Sequence, residues 1–323
     1  MTTYKEIRGT NIEAVASDPS NPVEGQVWYN TTTNVVKGLI IDPGSWSTGG
    51  VLNTARDSLG GAGTQTAALA FGGSLGGNNN KNETEKYNGT SWTEVNNLNT
   101  ARFGMGNCGT QTAALAFGGA NPYKANTETW NGTNWTEVND MGTAKYQLGS
   151  AGTSTAALGF GGLGGGGVTV DTELWNGTNW TEVNNMGTGR YRMGSLGIST
   201  AALAFGGSPN PNAALTELWN GTNWTEVNDL NTARKYLAGA GTSTAGLGFG
   251  GQTPAGSNGG LTENWNGTNW TEGNDLNVAR KFLAGTGTNR AALAFGGVDA
   301  ANNRTTATEE WNAGPSTITF DVS

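Results

Sequence analysis

Between residues 51 and 315 the chain alternates short apolar stretches of four or five residues with polar stretches rich in glycine, asparagine and threonine. One cycle reads as four strands by alternation and turn chemistry. A first strand is expected near Phe103 to Cys108, and a Gly-Thr-Gln-Thr turn leads to a second at Ala113 to Phe117, which Gly118 and Gly119 terminate. Thr127 to Trp130 and Trp135 to Val138 then flank Asn131-Gly132-Thr133-Asn134. Asn-Gly between short aromatic-rich segments is a strong hairpin signal.

The cycle recurs. Phe-Gly-Gly begins at Phe71, Phe117, Phe160, Phe205, Phe249 and Phe295, at spacings of 46, 43, 45, 44 and 46 residues. A period of this size indicates a solenoid or propeller. A lone four-stranded sheet with aromatic residues on both faces cannot bury them, whereas six sheets packed radially cover one another. The expected fold is all-β, a six-bladed β-propeller of four-stranded antiparallel blades. Trp92, Trp130, Trp135, Trp175, Trp180, Trp219, Trp224, Trp265, Trp270 and Trp311 are the expected structural residues between blades, each burying about 150 to 250 Å² if enclosed. The alanine-rich second strands would sit nearer the axis.

Composition agrees with strands and turns: 54 of 323 residues are glycine, against about 7% on average, and glycine in a helix costs roughly 1 kcal/mol relative to alanine. A formal charge of -8 disfavours a nucleic-acid or anionic-membrane partner. The chain has no histidine, the commonest general base and metal ligand, so most hydrolase mechanisms drop out. The single Cys108 can form neither an internal disulfide nor a thiolate metal cluster. No apolar run approaches the roughly 20 residues of a membrane helix, and MTTYKEIRGT lacks the pattern of a signal peptide. Neither a cofactor nor a metal is expected.

The repeats resemble kelch repeats, whose marks are a double glycine ending the second strand, a glutamate and an aromatic beginning the third, and a tryptophan in the fourth. Gly118-Gly119, Glu128, Trp130 and Trp135 fill those places in the second unit, and Arg102 takes the basic position before the first strand. All six units share the match. The 5-residue step from Trp130 to Trp135 is shorter than the usual kelch turn, which makes this a kelch-like variant. The resemblance implies the propeller architecture; function does not follow from it, because propellers host unrelated activities. The segment DPSNPVEGQVWYNTTTNVVKG resembles the short hairpin near the start of tail-fibre and other virion proteins of marine phages. The Asn-Gly-Thr-Asn-Trp hairpins likewise resemble kelch-like proteins of such phages.

Two domains are expected: residues 1–50, an attachment segment with a candidate ring-closing strand, and residues 51–323, the propeller. Trp46 precedes Arg56 by ten residues, as Trp92 precedes Arg102, so Ser45 to Thr48 aligns with a fourth strand that no earlier repeat owns. The last unit departs from pattern after Trp311, where Asn312-Ala313-Gly314 replaces the hairpin. The strand around Trp46 is therefore expected to complete the blade holding Trp311, with Thr317 to Val322 as the rival outer strand.

The stretch after each double glycine drifts most between units. These loops should crowd one end of the ring, where loops on a rigid scaffold commonly carry recognition. The candidate binding residues are Asn78, Asn79, Asn80, Tyr123, Lys124, Asn210, Asn212, Asn258, Asn302 and Arg304; neutral drift in solvent is the plain alternative. A repeated cation (Arg56, Arg102, Lys145, Arg190, Arg234, Arg280) can pair with a repeated glutamate (Glu85, Glu128, Glu173, Glu217, Glu263, Glu309), as inter-strand ion pairs or as sugar clamps. Asn139-Asp140, Asn228-Asp229 and Asn274-Asp275 could offer oxygen ligands to calcium, but turn formation explains them more simply.

The expected protein is a non-enzymatic phage virion component, a tail fibre or other surface protein, located on the particle and made without a signal peptide. Its partners would be other virion proteins and a host-surface glycan or protein, with no nucleic acid and no membrane insertion; a homo-oligomer is left open. The alternative is a glycan-binding propeller lectin.

Overall fold

The computed structural model describes residues 12–22, 25–77, 79–120, 122–208 and 214–320, and no helix occurs among them. The chain divides into two compact units, one of residues 45–312 and one of residues 1–44 with 313–323.

In the smaller unit, Glu13–Val15 runs parallel to Val27–Asn30, which forms an antiparallel hairpin with the start of Val35–Thr48. Asn30 shapes the turn by accepting the amides of Thr32 and Thr33 on Oδ1. Asp18 ties the hairpin down: it accepts the indole N–H of the buried Trp28, the Asn30 amide and the Lys37 ammonium.

The larger unit is built of repeated four-stranded antiparallel sheets. The second repeat sets the pattern, with Gly106–Thr110, Ala113–Phe117, Thr127–Trp130 and Trp135–Val138 in consecutive order. Its first strand starts later than expected, because Gly104 adopts a left-handed conformation (φ 61°) that interrupts the extended chain and leaves Phe103 in an isolated bridge to Ala120. The glycine-bearing first strands are innermost, each beside that of the next repeat and the last beside the first. The second strands come next, and Ala114, Leu115, Ala116 and Phe117 are fully buried on both faces.

Hydrogen bonding divides the described strands into eight sheets rather than six: five of four strands, one of six, and two ribbons of three and two. The ribbons arise where the cation and the residue after it pair with the loop after the double glycine, as Lys145–Tyr146 does with Leu163–Gly164 and Arg280–Lys281 with Val298–Asp299. Elsewhere that pairing shrinks to a single bridge. The six-stranded sheet joins strands from early and late in the described sequence, since Val35–Thr48 lies beside Thr308–Phe320. Thr308–Phe320 is one continuous strand of 13 residues, so the segment from Thr317 is not a separate outer strand; residues 321 and 322 lie outside the described residues.

Two sets of aromatic side chains join the repeats. Each fourth-strand tryptophan donates its indole N–H to the threonine that opens the third strand of the preceding repeat: Trp135 to Thr84, Trp180 to Thr127, Trp224 to Thr172 and Trp270 to Thr216. Trp92 reaches Thr308 and Trp46 reaches Thr262, completing the series between the first and last repeats. The same rings pack on the phenylalanine of the preceding repeat, with centroids 4.7 to 5.0 Å apart. The third-strand tryptophans (Trp130, Trp175, Trp219, Trp265, Trp311) are at most 2% exposed and donate to carbonyls of the turn between first and second strands.

Candidate binding end

Two residues after each repeated cation the backbone turns left-handed, at Ser58, Gly104, Gln147, Arg192, Tyr236 and Phe282, with φ between 52° and 64°. Only one of the six is glycine. Their amides and carbonyls form a closed circle: Gly104 N donates to Ser58 O, Gln147 to Gly104, Arg192 to Gln147, Tyr236 to Arg192, Phe282 to Tyr236 and Ser58 to Phe282, at 2.6 to 3.0 Å. A left-handed conformation costs an L-residue roughly 1–2 kcal/mol, and the circle satisfies six backbone donors that interrupted strands would otherwise strand.

The circle forms the mouth of a 280 Å³ cavity lined by the six first strands. Its side chains are half-buried and chemically varied. The Arg192 guanidinium lies over the rings of Tyr191 and Tyr236, at 4.5 and 4.6 Å, and donates from Nε to Gln147 Oε1. The Tyr236 and Phe282 rings pack against each other with centroids 3.8 Å apart and planes tilted by 42°. Burial pushes the Tyr236 hydroxyl up to about 12, against the opposing pull of Arg192. Lys235 and Lys281 sit near the Tyr236 and Phe282 rings. Burial likewise raises the Asp57 carboxyl, opposed by hydrogen bonds from Ser58 and Arg304.

The loops after the double glycines lie at this same end, because their first residues bridge to the neighbours of the circle: Ser74 to Asp57, Ala120 to Phe103, Ser208 to Tyr191 and Gln252 to Lys235. Asn79 and Asn302 are exposed, as is Tyr123, whose ring lies 5.5 Å from that of Tyr146. Asn80, Lys124, Asn258 and Arg304 are half-buried. Their roles are largely local: Asn80 bridges Ser74, the Lys124 backbone bonds Gly119 and Lys145, Asn258 donates to the Asp299 carbonyl of the next repeat, and Arg304 pairs with Asp57 at 2.7 Å. Asn78, Asn210 and Asn212 fall outside the described residues. The residues that meet at this end are those of the circle rather than the loop asparagines, and sequence reasoning alone does not bring them together. A signal was present: after the cation the units read DS, FG, YQ, YR, KY and KF, while their flanks scarcely change.

The repeated cation and glutamate form buried pairs in every repeat, at 2.7 to 3.2 Å, with each cation wholly enclosed. Burial lowers the pKa of the arginines and the facing glutamate opposes it. In the second repeat Arg102 also donates to the carbonyls of Gly118, Asn126 and Ala116, so one guanidinium joins the double glycine to the second and third strands. No sugar could reach these enclosed groups, so the clamp arrangement is replaced by an internal one. Gly118 itself must be glycine, since with φ at 66° an added Cβ would lie 2.6 Å from the Lys145 carbonyl oxygen.

The Asn-Asp pairs behave as backbone ligands. Asp140, Asp229 and Asp275 accept the amides of Thr127, Thr216 and Thr262, while Asn139 and Asn228 donate to the hairpin of the next repeat. Among the described residues no group of acidic or thiol side chains is placed to hold a metal ion. Cys108 is buried, its pKa raised by burial, and its Sγ faces the Thr153 carbonyl.

No protein-family model matches the chain, and no curated protein matches it.

Proposed function

We propose that residues 45–312 form a six-bladed, kelch-like β-propeller without enzymatic activity, and that its loop end makes the protein's specific contacts. The carrying observation is the confinement of variation: near-identical repeats differ mainly at the circle and in the adjoining loops, all at one end. The six indole–threonine bonds and the circle of six backbone bonds support ring closure through Trp46. A rigid scaffold presenting varied side chains at one mouth is the arrangement expected of recognition rather than of support.

The setting we infer is the surface of a phage particle, as a tail fibre or other virion component that contacts its host and other virion proteins. The hairpin around Trp28 and the Asn-Gly-Thr-Asn-Trp repeats are the features that favour it. Mass spectrometry of purified particles from the source, with labelled antibody to place the protein by electron microscopy, tests this reading. Recovery of the chain at stoichiometric abundance supports it, and absence from intact particles overturns it.

A further inference from the structure

We propose that the mouth framed by Arg192, Tyr236 and Phe282 binds an acidic glycan, taking a sugar carboxylate on the Arg192 guanidinium and a sugar ring against its aromatic side chains. The inference rests on the reading of this end as the contact surface and adds a ligand class to it.

The first argument is strain. This chain uses glycine freely where the backbone turns left-handed, including both members of every double glycine, yet five of the six circle positions keep a side chain at a cost of roughly 1–2 kcal/mol each. Strain retained where glycine would remove it points to side chains with a use.

The second argument is charge. On a chain with a net charge of -8, the six core cations are all paired with glutamate. Arg192 lines the mouth and among the described residues is not ion-paired, whereas Lys235 and Lys281 stand outside the lining, 5.6 and 5.9 Å from the Tyr236 and Phe282 rings, with Lys281 turned to Asn302 and to the field of Asp57. Arg192 is held by Gln147 through Nε and by two tyrosine rings. That restraint prepares its planar fork for a carboxylate, the geometry in which arginine exceeds lysine. The third argument is the cavity below, whose 280 Å³ lies just under the ~300–1,000 Å³ of typical small-ligand sites and suits a sugar unit better than a folded protein segment.

The test is titration of the full chain with oligosaccharides bearing a uronic or sialic acid, each beside its carboxyl-reduced counterpart, and with polyglutamate as a sugar-free polyanion. The variants are Arg192→Gln and Tyr236→Gly, the latter chosen because glycine accepts the local φ and keeps the fold. Binding of an acidic sugar that falls at least tenfold on carboxyl reduction and in both variants supports the proposal. Equal binding of polyglutamate, or affinity unchanged in both variants, overturns it. Failure of every acidic sugar overturns it too, and adsorption to host cells then separates the causes. If the variants still impair adsorption, this end makes contact through another ligand class; if adsorption is unaltered, the contact surface itself is misplaced.

Discussion

The indole N–H of Trp46 lies 3.0 Å from the hydroxyl of Thr262, 216 positions further along the chain. Trp46 also packs on Phe249 and Trp311, at 4.9 and 5.4 Å, so it stands where the other repeats place their fourth-strand tryptophan. The first strand residues of the large unit therefore finish the sheet that the last repeat begins. Trp46→Ala is expected to destabilise the unit by about 3–5 kcal/mol, the usual cost of emptying a buried indole site. Trp46→Phe should cost less, on the order of 1–2 kcal/mol for the orphaned threonine and the lost bond. Urea unfolding followed by tryptophan fluorescence measures both, and a negligible loss for Trp46→Ala would rule out its closing role.

The buried pairs make a second expectation. Glu128→Leu leaves the Arg102 guanidinium enclosed without its counter-ion and should cost roughly 3–5 kcal/mol. Adding Arg102→Met should not restore stability, because three backbone carbonyls then lose their donor. Double-mutant denaturation curves decide this. A double variant as stable as the parent would show that the carbonyl bonds matter little.

The third repeat departs from its siblings in carrying Lys145, whose ammonium lies 3.2 Å from Glu173 and 3.3 Å from the Asp171 carbonyl. It lacks the fork that lets arginine serve the double glycine as well. Lys145→Arg is expected to gain about 0.5–1.5 kcal/mol by adding the missing bond, read as a rise in thermal midpoint.

Gly104 offers a direct measure of strain in the circle. An added Cβ would meet the flexible Gln147 and Tyr146 side chains at 3.1 and 3.4 Å and the Gln147 backbone nitrogen at 3.5 Å, an ordinary contact distance, so conformation rather than collision sets most of the cost. Gly104→Ala should lose about 1–2 kcal/mol, and Phe282→Gly should recover part of that amount less the ring contact with Tyr236 that it forfeits. Thermal unfolding of the pair tests the claim.

Asp18 governs the acid response of the hairpin. Hydrogen bonds from Lys37, Asn30 and Trp28, in that order, hold its carboxyl down at about 2 from an ordinary 3.8. A depressed folded value means that the stabilisation is complete above 3.8 and is lost as pH falls toward 2. Asp18→Asn should flatten this dependence. The Trp28 indole proton shift, followed by NMR between pH 6 and about 2, gives the measurement.

Much of the large unit is legible in its residues. Asn131-Gly132 marks the third-to-fourth strand turn, where Asn131 accepts the amides of Thr133 and Asn134, and the double glycine marks the end of the second strand. These are local rules of backbone freedom, and five repetitions of the Asn-Gly turn and six of the double glycine make them unmistakable. The all-strand character and the pairing of repeated cation with repeated glutamate could be read in the same way.

What tertiary structure alone decided is where distant residues meet. That Trp46 serves the sheet of Trp311, that Thr308–Phe320 runs on without a turn, and that six unlike residues join in a circle of hydrogen bonds are consequences of contacts across whole repeats. Local propensity reports the conformations a segment prefers, and it would not place Tyr236 or Phe282 in a left-handed turn. Neighbouring repeats impose that conformation, because each carbonyl of the circle is presented by the adjoining unit and the amide must turn to reach it.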